Sequence, residues 1–218
     1  MRHSPAVLAL AALAAGACAP IQPLPPGATP SGIAPFDIPA ESPAPVGSWV
    51  AGDPAVDSDA TWLRLTGLLI PVRGVPRAKI EDSFDAPRDG GRRHDAVDIL
   101  APRGTPVLAT IDGTILRVGS NALGGRVIWM ADSASRFAYY YAHLDRYARG
   151  IKAGDHVLRG ATIGYVGTTG NAPPDVPHLH FQVMRMTDPA KWWNGTPVNP
   201  APFLTEATMT ATTNGAPR

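Results

Sequence analysis

The sequence is poor in three features that would each point to a definite class of protein. It has one cysteine in 218 residues, Cys18, which excludes an internal disulfide framework and a cysteine-rich zinc site. Its formal net charge is only +1, so it lacks the strongly basic balance that nucleic-acid binding usually leaves, and no nucleic-acid partner is expected. It also lacks a segment with a long helical period of apolar residues.

Glycine and proline are, by contrast, abundant, at 22 and 24 residues. Because both residues interrupt regular structure, the composition predicts many turns and short strands rather than long helices. The length suits a single domain with tails, which leaves enough chain for a sizeable core.

The N-terminal segment has the pattern of an export signal. A short basic start precedes an apolar run from Ala6 to Ala15, which is too short to span a bilayer comfortably, so residues 1–18 are predicted to be a signal peptide. Small residues at the end of the run suit ordinary signal peptidase. Alternatively, Ala15-Gly16-Ala17-Cys18 resembles a bacterial lipobox. We favour the lipoprotein, exported to the periplasm or cell envelope and anchored through a lipid on Cys18.

Composition divides the remaining chain into three parts. Residues 19–60 are dominated by Pro, Ala, Gly and Ser and are predicted to form an irregular linker or arm, because such a stretch can bury little. Residues 61–204 contain the apolar segments and are predicted to be the folded domain. Residues 205–218, rich in Thr and Ala, are predicted to be a flexible tail.

Strand signals are dense within the predicted domain. β-Branched and aromatic residues recur between turn-prone residues in five segments: 106–116, 126–131, 136–144, 156–166 and 178–184. The first segment surrounds Asp112-Gly113 and is predicted to form a hairpin of its own. The domain is therefore predicted to be all-β, with an antiparallel core that is sandwich-like or barrel-like.

Histidine and aspartate recur in three separate strand-like contexts. These are His94-Asp95-Ala96-Val97-Asp98, Tyr141-Ala142-His143-Leu144 and His178-Leu179-His180. Because side chains alternate along a strand, His178 and His180 share one face while Leu179 can enter the core. Two histidines and one aspartate suit a zinc ion, and they leave a coordination position for the water that such an ion activates. Spacing alone does not decide which histidines bind metal, and each pattern alone is also typical of ordinary polar contacts.

Together these motifs resemble the signature of a known enzyme family. They are similar to the three motifs of the M23 family of zinc metallopeptidases, the LytM- or lysostaphin-like enzymes: Gly90-Gly91-Arg92-Arg93-His94-x-x-x-Asp98, Tyr141-Ala142-His143-Leu144 and Pro177-His178-Leu179-His180-Phe181. The resemblance runs from about Asp82 to Leu204. Two positions depart from the family pattern, Ala96 where Gly is frequent and Gln182 where Glu is more usual, and neither is a ligand position.

The resemblance implies the roles of five side chains and the type of fold. His94, Asp98 and His180 would be the ligands of one zinc ion per chain. His143 and His178 would be the catalytic pair that positions or deprotonates water and stabilises the developing oxyanion. The implied fold is an antiparallel β core of the duplicated hybrid motif type, with a groove over one sheet.

Aromatic and arginine residues near the motifs are weaker candidates for the site. Tyr139, Tyr141, Trp192 and Trp193 can line or flank the groove, but aromatic residues on strands more often pack in a core. The adjacent Arg92-Arg93 can meet a substrate carboxylate, although exposed arginines are usually only solvated. None of them is included among the predicted site residues.

The resemblance also implies a substrate and a set of competing functions. The leading prediction is a zinc-dependent endopeptidase that hydrolyses stem or cross-link peptides of peptidoglycan. The alternative is a non-hydrolytic LytM-type regulator that activates a cell-wall amidase, and a third possibility is a wall-binding lipoprotein with a vestigial metal. Regulators of that kind have typically lost metal ligands, so the intact set of five residues favours the enzyme.

Overall fold

The computed structural model describes residues 54–205 of the chain. The predicted signal peptide, Cys18, most of the predicted linker and the predicted tail after Thr205 lie outside the described residues. No helix in this described part is both long enough and apolar enough to cross a membrane.

Two helices flank the strands. Helix α1 (Pro54–Thr66) begins inside the segment that composition predicted to be linker, and α2 (Ala201–Thr205) follows the last strand. Leu63 is fully buried and Trp62 packs beside it, while the buried carboxylate of Asp59 pairs with Arg136 at 2.7 Å. Among the side chains described in this helix, those of residues 59–66, Leu65 is exposed while Leu63 is buried. The periodic signal of these residues is therefore weak, which is why the sequence did not predict the helix.

The strands of residues 54–205 form one antiparallel sheet. In chain order they are β1 (Val97–Leu100), β2 (Pro106–Leu108), β3 (Gly113–Asn121), β4 (Gly125–Asp132), β5 (Phe137–Tyr147), β6 (His156–Val157), β7 (Thr162–Val166), β8 (His178–Arg185) and β9 (Thr196–Val198). The main order is β1-β8-β5-β4-β3-β6, while β9 pairs with β8, and β7 pairs with both β2 and β5. The predicted antiparallel β class is confirmed.

The predicted strand segments agree with the structure unequally. Segments 126–131, 136–144 and 178–184 coincide with β4, β5 and β8, whereas segment 156–166 contains two strands, β6 and β7. Strands β1 and β9 were not predicted, since each is only three or four residues long.

The predicted hairpin around Asp112-Gly113 is wrong. Strand β2 pairs with β7, and β3 pairs with β4 and β6. The turn is instead bonded to the one that joins β6 to β7, because the Asp112 carboxylate accepts the backbone N–H of Arg159 at 2.6 Å. A turn-prone pair between two strands thus did not make those strands neighbours.

The core lies against one face of the sheet and contains the alternate residues of the long strands. Tyr139, Tyr141 and Leu179 are completely buried there, as period-two alternation predicts for Leu179. Tyr139 and Tyr141 thus pack in the core, which was the favoured interpretation of aromatic residues on strands, and do not line a groove, while β5 turns Tyr140 and Ala142 to the opposite face. Burial raises the pKa of all three tyrosines, to about 12 for Tyr140.

Strand β5 changes its partner at His143. Its residues 137–142 pair with β8, and its residues from Leu144 onward pair with β7. His143 has a φ of 60°, in the left-handed region that residues with a Cβ rarely adopt. Strict alternation would place His143 on the core face, but the core position is taken by Leu144, which is fully buried. The bend brings the His143 ring to within 4.9 Å of the His178 ring instead, centroid to centroid.

We expect His143→Gly to be more stable than His143→Ala. A left-handed residue with a Cβ costs about 1–2 kcal/mol, whereas glycine in a strand is ordinarily less stable than alanine by about 0.5–1 kcal/mol. Both variants lack the imidazole, so their difference in the free energy of urea unfolding, measured on metal-free protein, isolates the backbone. The neighbouring change Ala142→Gly is the control and should destabilise. A more stable alanine variant at position 143 would show that no strain is held there.

Candidate metal centre

Three side chains from β1, β8 and the loop before β1 converge on one face of the sheet. Asp98 on β1 lies opposite His180 on β8, and His94 precedes β1. The Nε2 atom of His94 is 2.9 Å from Asp98 Oδ1 and 3.0 Å from His180 Nδ1, and the latter is 3.1 Å from Asp98 Oδ1. Two nitrogens and one oxygen therefore form a nearly equilateral triangle.

The donor set and its dimensions fit a zinc ion. Imidazole nitrogen and carboxylate oxygen are common zinc ligands, with bonds of about 2.0–2.2 Å. Ligand atoms at such lengths in a tetrahedron are about 3.3–3.6 Å apart, which is a few tenths of an ångström more than the sides of the observed triangle. These three atoms can therefore hold one ion and leave one tetrahedral position for another ligand.

The charge of the centre resides on Asp98. Burial of the Asp98 carboxyl opposes its ionisation, but hydrogen bonds with His180 and His94 outweigh burial and hold its pKa far below the usual range. For His180 the balance is reversed, because burial lowers its pKa in spite of the neighbouring Asp98 carboxylate. A neutral imidazole has the lone pair that a metal requires.

Ser83 positions two of the three side chains. Its carbonyl oxygen lies 2.8 Å from His94 Nδ1, and because a carbonyl only accepts, Nδ1 carries the proton and Nε2 is left to bind metal. The Ser83 hydroxyl accepts the backbone N–H of Asp98 at 3.2 Å. The preceding residue, Asp82, accepts from the Asn199 amide at 2.9 Å, which ties this loop to the segment before α2.

Arg88 binds the oxygen of Asp98 that the histidines do not contact. Its Nη2 atom donates to Asp98 Oδ2 at 2.5 Å. Arg93, by contrast, pairs with Asp85 and lies 3.5 Å from Asp95. Arg88, the arginine bonded to Asp98, thus lies outside the Arg92-Arg93 pair that was considered from the sequence.

His143 and His178 border the triangle with the same tautomer. The Nδ1 atom of His143 donates to Thr169 O at 2.8 Å, and that of His178 donates to Val176 O at 2.8 Å. Each ring is thereby left with Nε2 as its remaining polar atom. His178 Nε2 lies 3.9 Å from Asp98 Oδ1, and the His143 ring centroid is 5.7 Å from that of His180. All five predicted residues thus share one face.

The pKa of His143 is lowered to about 4. Burial is the main cause, followed by the neighbouring His180 ring, while the hydrogen bond to the Thr169 carbonyl acts in the opposite direction. A ring that stays neutral at pH 7 keeps its lone pair and can accept a proton.

Thr169 is itself held firmly beside His143. Its hydroxyl donates to Leu144 O at 2.8 Å and accepts the Arg126 N–H at 2.9 Å. The next residue, Gly170, packs on Gly125, where an added Cβ would lie 2.3 Å from the Gly170 nitrogen. Only glycine permits this approach, so the carbonyl that sets the tautomer of His143 has a fixed position.

Three residues that contact side chains of the centre, Ser83, Arg88 and Thr169, were not predicted from the sequence to do so. Ser83 and Thr169 act on histidines through backbone carbonyls, which carry no residue-specific signal. Arg88 lies six residues before His94, and only the turn-prone Asp89-Gly90-Gly91 segment hinted that the chain reverses there. Trp192 and Trp193, by contrast, were considered for the groove and left out of the site. Both are partly buried, and the Trp192 ring packs on the Trp129 ring with 5.0 Å between centroids.

Comparisons with a family model and with individual known proteins agree with each other. The sequence model of "Peptidase family M23" matches residues 92–200, half of the chain. The chain is 39% identical over 114 residues to the L-Ala–D-Glu endopeptidase of Bacillus subtilis, covering 50% of this chain and 35% of that protein. It is 34% identical over 93 residues to the peptidoglycan DD-endopeptidase ShyC of Vibrio cholerae, covering 43% of this chain and 20% of that protein. The chain thus spans about a third or less of the length of these relatives.

Solved structures are also similar. The catalytic domain of the antimicrobial peptidase lysostaphin from Staphylococcus simulans shares 31% sequence identity with this chain, with a TM-score of 0.46. The match covers 67% of this chain and 98% of that domain.

We expect the purified protein to bind one equivalent of zinc. Since Asp98 supplies the anionic ligand, Asp98→Asn and His94→Ala should each weaken binding by more than the roughly 10–100-fold that loss of an outer-shell partner causes. Isothermal titration and elemental analysis measure affinity and stoichiometry. His156→Ala is the matched control, because His156 is exposed on β6, and it should bind zinc like the wild type. Unchanged binding by His94→Ala would contradict the assignment.

Proposed function

The chain belongs to peptidase family M23, and on that basis we propose that it is a zinc-dependent endopeptidase that hydrolyses peptide bonds in the stem or cross-link peptides of peptidoglycan. One observation carries the proposal: the ligand atoms of His94, Asp98 and His180 lie within 4.8 Å of one another, with the tautomer-fixed rings of His143 and His178 beside them. This is the constellation that metal-assisted hydrolysis requires.

The protein's own groups can perform the proton transfers. A zinc ion bound by His94, Asp98 and His180 would supply Lewis-acid chemistry, polarising a peptide carbonyl and making water nucleophilic near neutral pH. His143 accepts a proton from the attacking water at Nε2, because its Nδ1 is occupied by Thr169. It can then return that proton to the leaving nitrogen.

His178 lies beside His143, and it stabilises the negative charge that develops on the substrate oxygen. Its Nδ1 is held by Val176, so Nε2 is the atom available to a substrate. That atom accepts from water when the ring is neutral and donates to a developing oxyanion when the ring is protonated. The two histidines therefore cover the base and the oxyanion roles between them.

The substrate class is supported by the relatives. One is named for the L-Ala–D-Glu bond and another for DD-endopeptidase activity on peptidoglycan. Because similar domains are named for different bonds, the shared motifs do not determine the bond, and we assign only the class of substrate. A wall substrate also fits export, and the predicted signal peptide and Cys18 lipid stay predictions, because residues 1–18 lie outside the described part.

The non-hydrolytic regulator is the less favoured function. A regulator needs no converging donors, whereas here the three ligand atoms and both flanking histidines are brought together from separate parts of the chain. The same geometry argues against a structural wall protein with a vestigial site.

We expect His143→Ala to keep its zinc and to lose most hydrolysis of purified peptidoglycan. His143 is not one of the three proposed ligands, so its loss should leave zinc binding intact. Loss of a general base typically lowers the rate by about 10²–10⁴-fold. Product release from dye-labelled peptidoglycan measures the rate, and elemental analysis measures zinc. Cleavage by this variant at the wild-type rate would refute the role of His143.

Removal of zinc by a chelator should abolish cleavage, and one equivalent of added zinc should restore it. Mass spectrometry of the products from defined peptidoglycan then identifies the bond through the new amino terminus. If the metal-loaded protein released no peptide products but stimulated an added wall amidase, the regulator would replace the enzyme.

A further inference from the structure

The two oxygens of Asp98 have different partners. Oδ1 is the oxygen that approaches His94 Nε2 and His180 Nδ1, at 2.9 and 3.1 Å. Oδ2 accepts from Arg88 Nη2 at 2.5 Å. The carboxylate is thus divided between the metal-binding triangle and a guanidinium on its outer side.

We propose that Arg88 is a positioning residue of the metal centre, which holds Asp98 as a one-oxygen ligand and thereby raises zinc affinity and keeps the coordination number low. The inference rests on the proposed function only in that it uses the same metal site. It goes further by assigning a role to a residue outside the three sequence motifs.

The local backbone explains how Arg88 reaches the carboxylate. The Arg88 N–H donates to Arg92 O at 2.9 Å, and Pro87 forms an isolated bridge with Arg93. The chain therefore doubles back between Arg88 and Arg92, through Gly90 and Gly91, which both have positive φ. This narrow turn carries Arg88 to Asp98, ten residues later in the sequence.

Arg88 completes a set of restraints on Asp98. The Asp98 N–H is bound by the Ser83 hydroxyl at 3.2 Å, which restrains the backbone. Rotation about the last side-chain bond would still exchange the two oxygens, because that torsion is broad in aspartate. The guanidinium on Oδ2 opposes this rotation, since turning Oδ2 toward the triangle would break a charge-assisted hydrogen bond.

The effect of Arg88 on zinc binding has two physical components of opposite sign. Its positive charge repels a cation and should weaken binding, whereas its orientation of Asp98 should strengthen it. Partners that orient metal ligands are typically worth about 10–100-fold in metal affinity. Orientation dominates here, because Arg88 is already paired with the Asp98 charge and its side chain is 40% exposed to screening solvent.

The experiment compares Arg88→Ala, Arg88→Lys and the wild-type full chain, with zinc affinity measured by competition against a chromophoric chelator. We expect Arg88→Ala to bind zinc about 10–100-fold more weakly. Arg88→Lys keeps the charge but replaces the planar guanidinium with an ammonium group on a flexible stem, so it should lie between the two. A control variant, Arg103→Ala, removes an arginine from another exposed pair, with Asp145 at 2.5 Å, and should bind zinc like the wild type.

Cobalt substitution provides a second readout, which does not depend on activity or on overall stability. Four-coordinate cobalt(II) absorbs visible light more strongly than five- or six-coordinate cobalt(II). If Asp98 is released to bind through both oxygens, the visible band of the cobalt form of Arg88→Ala should weaken relative to the wild type. The band of Arg103→Ala should not change.

The outcomes separate this inference from the proposed function. Zinc affinity equal to or tighter than the wild type in Arg88→Ala, with tight wild-type binding, would overturn the role of Arg88 and leave the enzyme intact. Absence of zinc binding by the wild type would instead overturn the metal site on which both depend. If Arg88→Ala did not fold, Arg88→Lys decides: affinity equal to the wild type would refute orientation by the guanidinium.

Discussion

The structure around the site depends on one partly buried charge, the Asp98 carboxylate. A charge removed from water is costly unless it is paired and hydrogen-bonded, and here two imidazoles approach one oxygen while a guanidinium binds the other. The β1–β8 register is what puts Asp98 opposite His180. A slip of one residue would turn Asp98 to the core face, where it would have neither partner nor function.

The second constraint is a local departure from regular strand geometry. His143 reaches the site because its left-handed backbone interrupts the alternation of β5, and the same bend lets one strand pair with β8 in its first half and β7 in its second. Strain of this kind persists where the surroundings over-determine the conformation. Here the surroundings are the Thr169 carbonyl and the close packing of Gly125 on Gly170.

Parts of the fold and of the site could be predicted from the pattern of residues alone. The apolar and aromatic runs predicted β4, β5 and β8, because such residues are concentrated in buried strands. Alternation along β8 predicted that Leu179 is buried while its neighbours face the site. The residue pattern did not predict which strands pair when the partners are far apart in the sequence. Asp112-Gly113 is an ordinary turn signal, yet β2 and β3 separate because each finds a partner elsewhere. Tyr139 and Tyr141, which were considered for a groove but left out of the site, lie in the core, as aromatic residues on strands more often do.

The sequence by itself determined which chemistry this protein can carry out, because the types and order of His94, Asp98, His143, His178 and His180 are written in three short motifs. Only the tertiary structure decided how those groups are held. The Ser83 and Thr169 carbonyls that set two tautomers, and the turn that carries Arg88 to Asp98, join residues that are 10 to 26 positions apart. The two carbonyl contacts have no sequence signature, since a backbone carbonyl is the same at every residue and its position is fixed only by the folded chain.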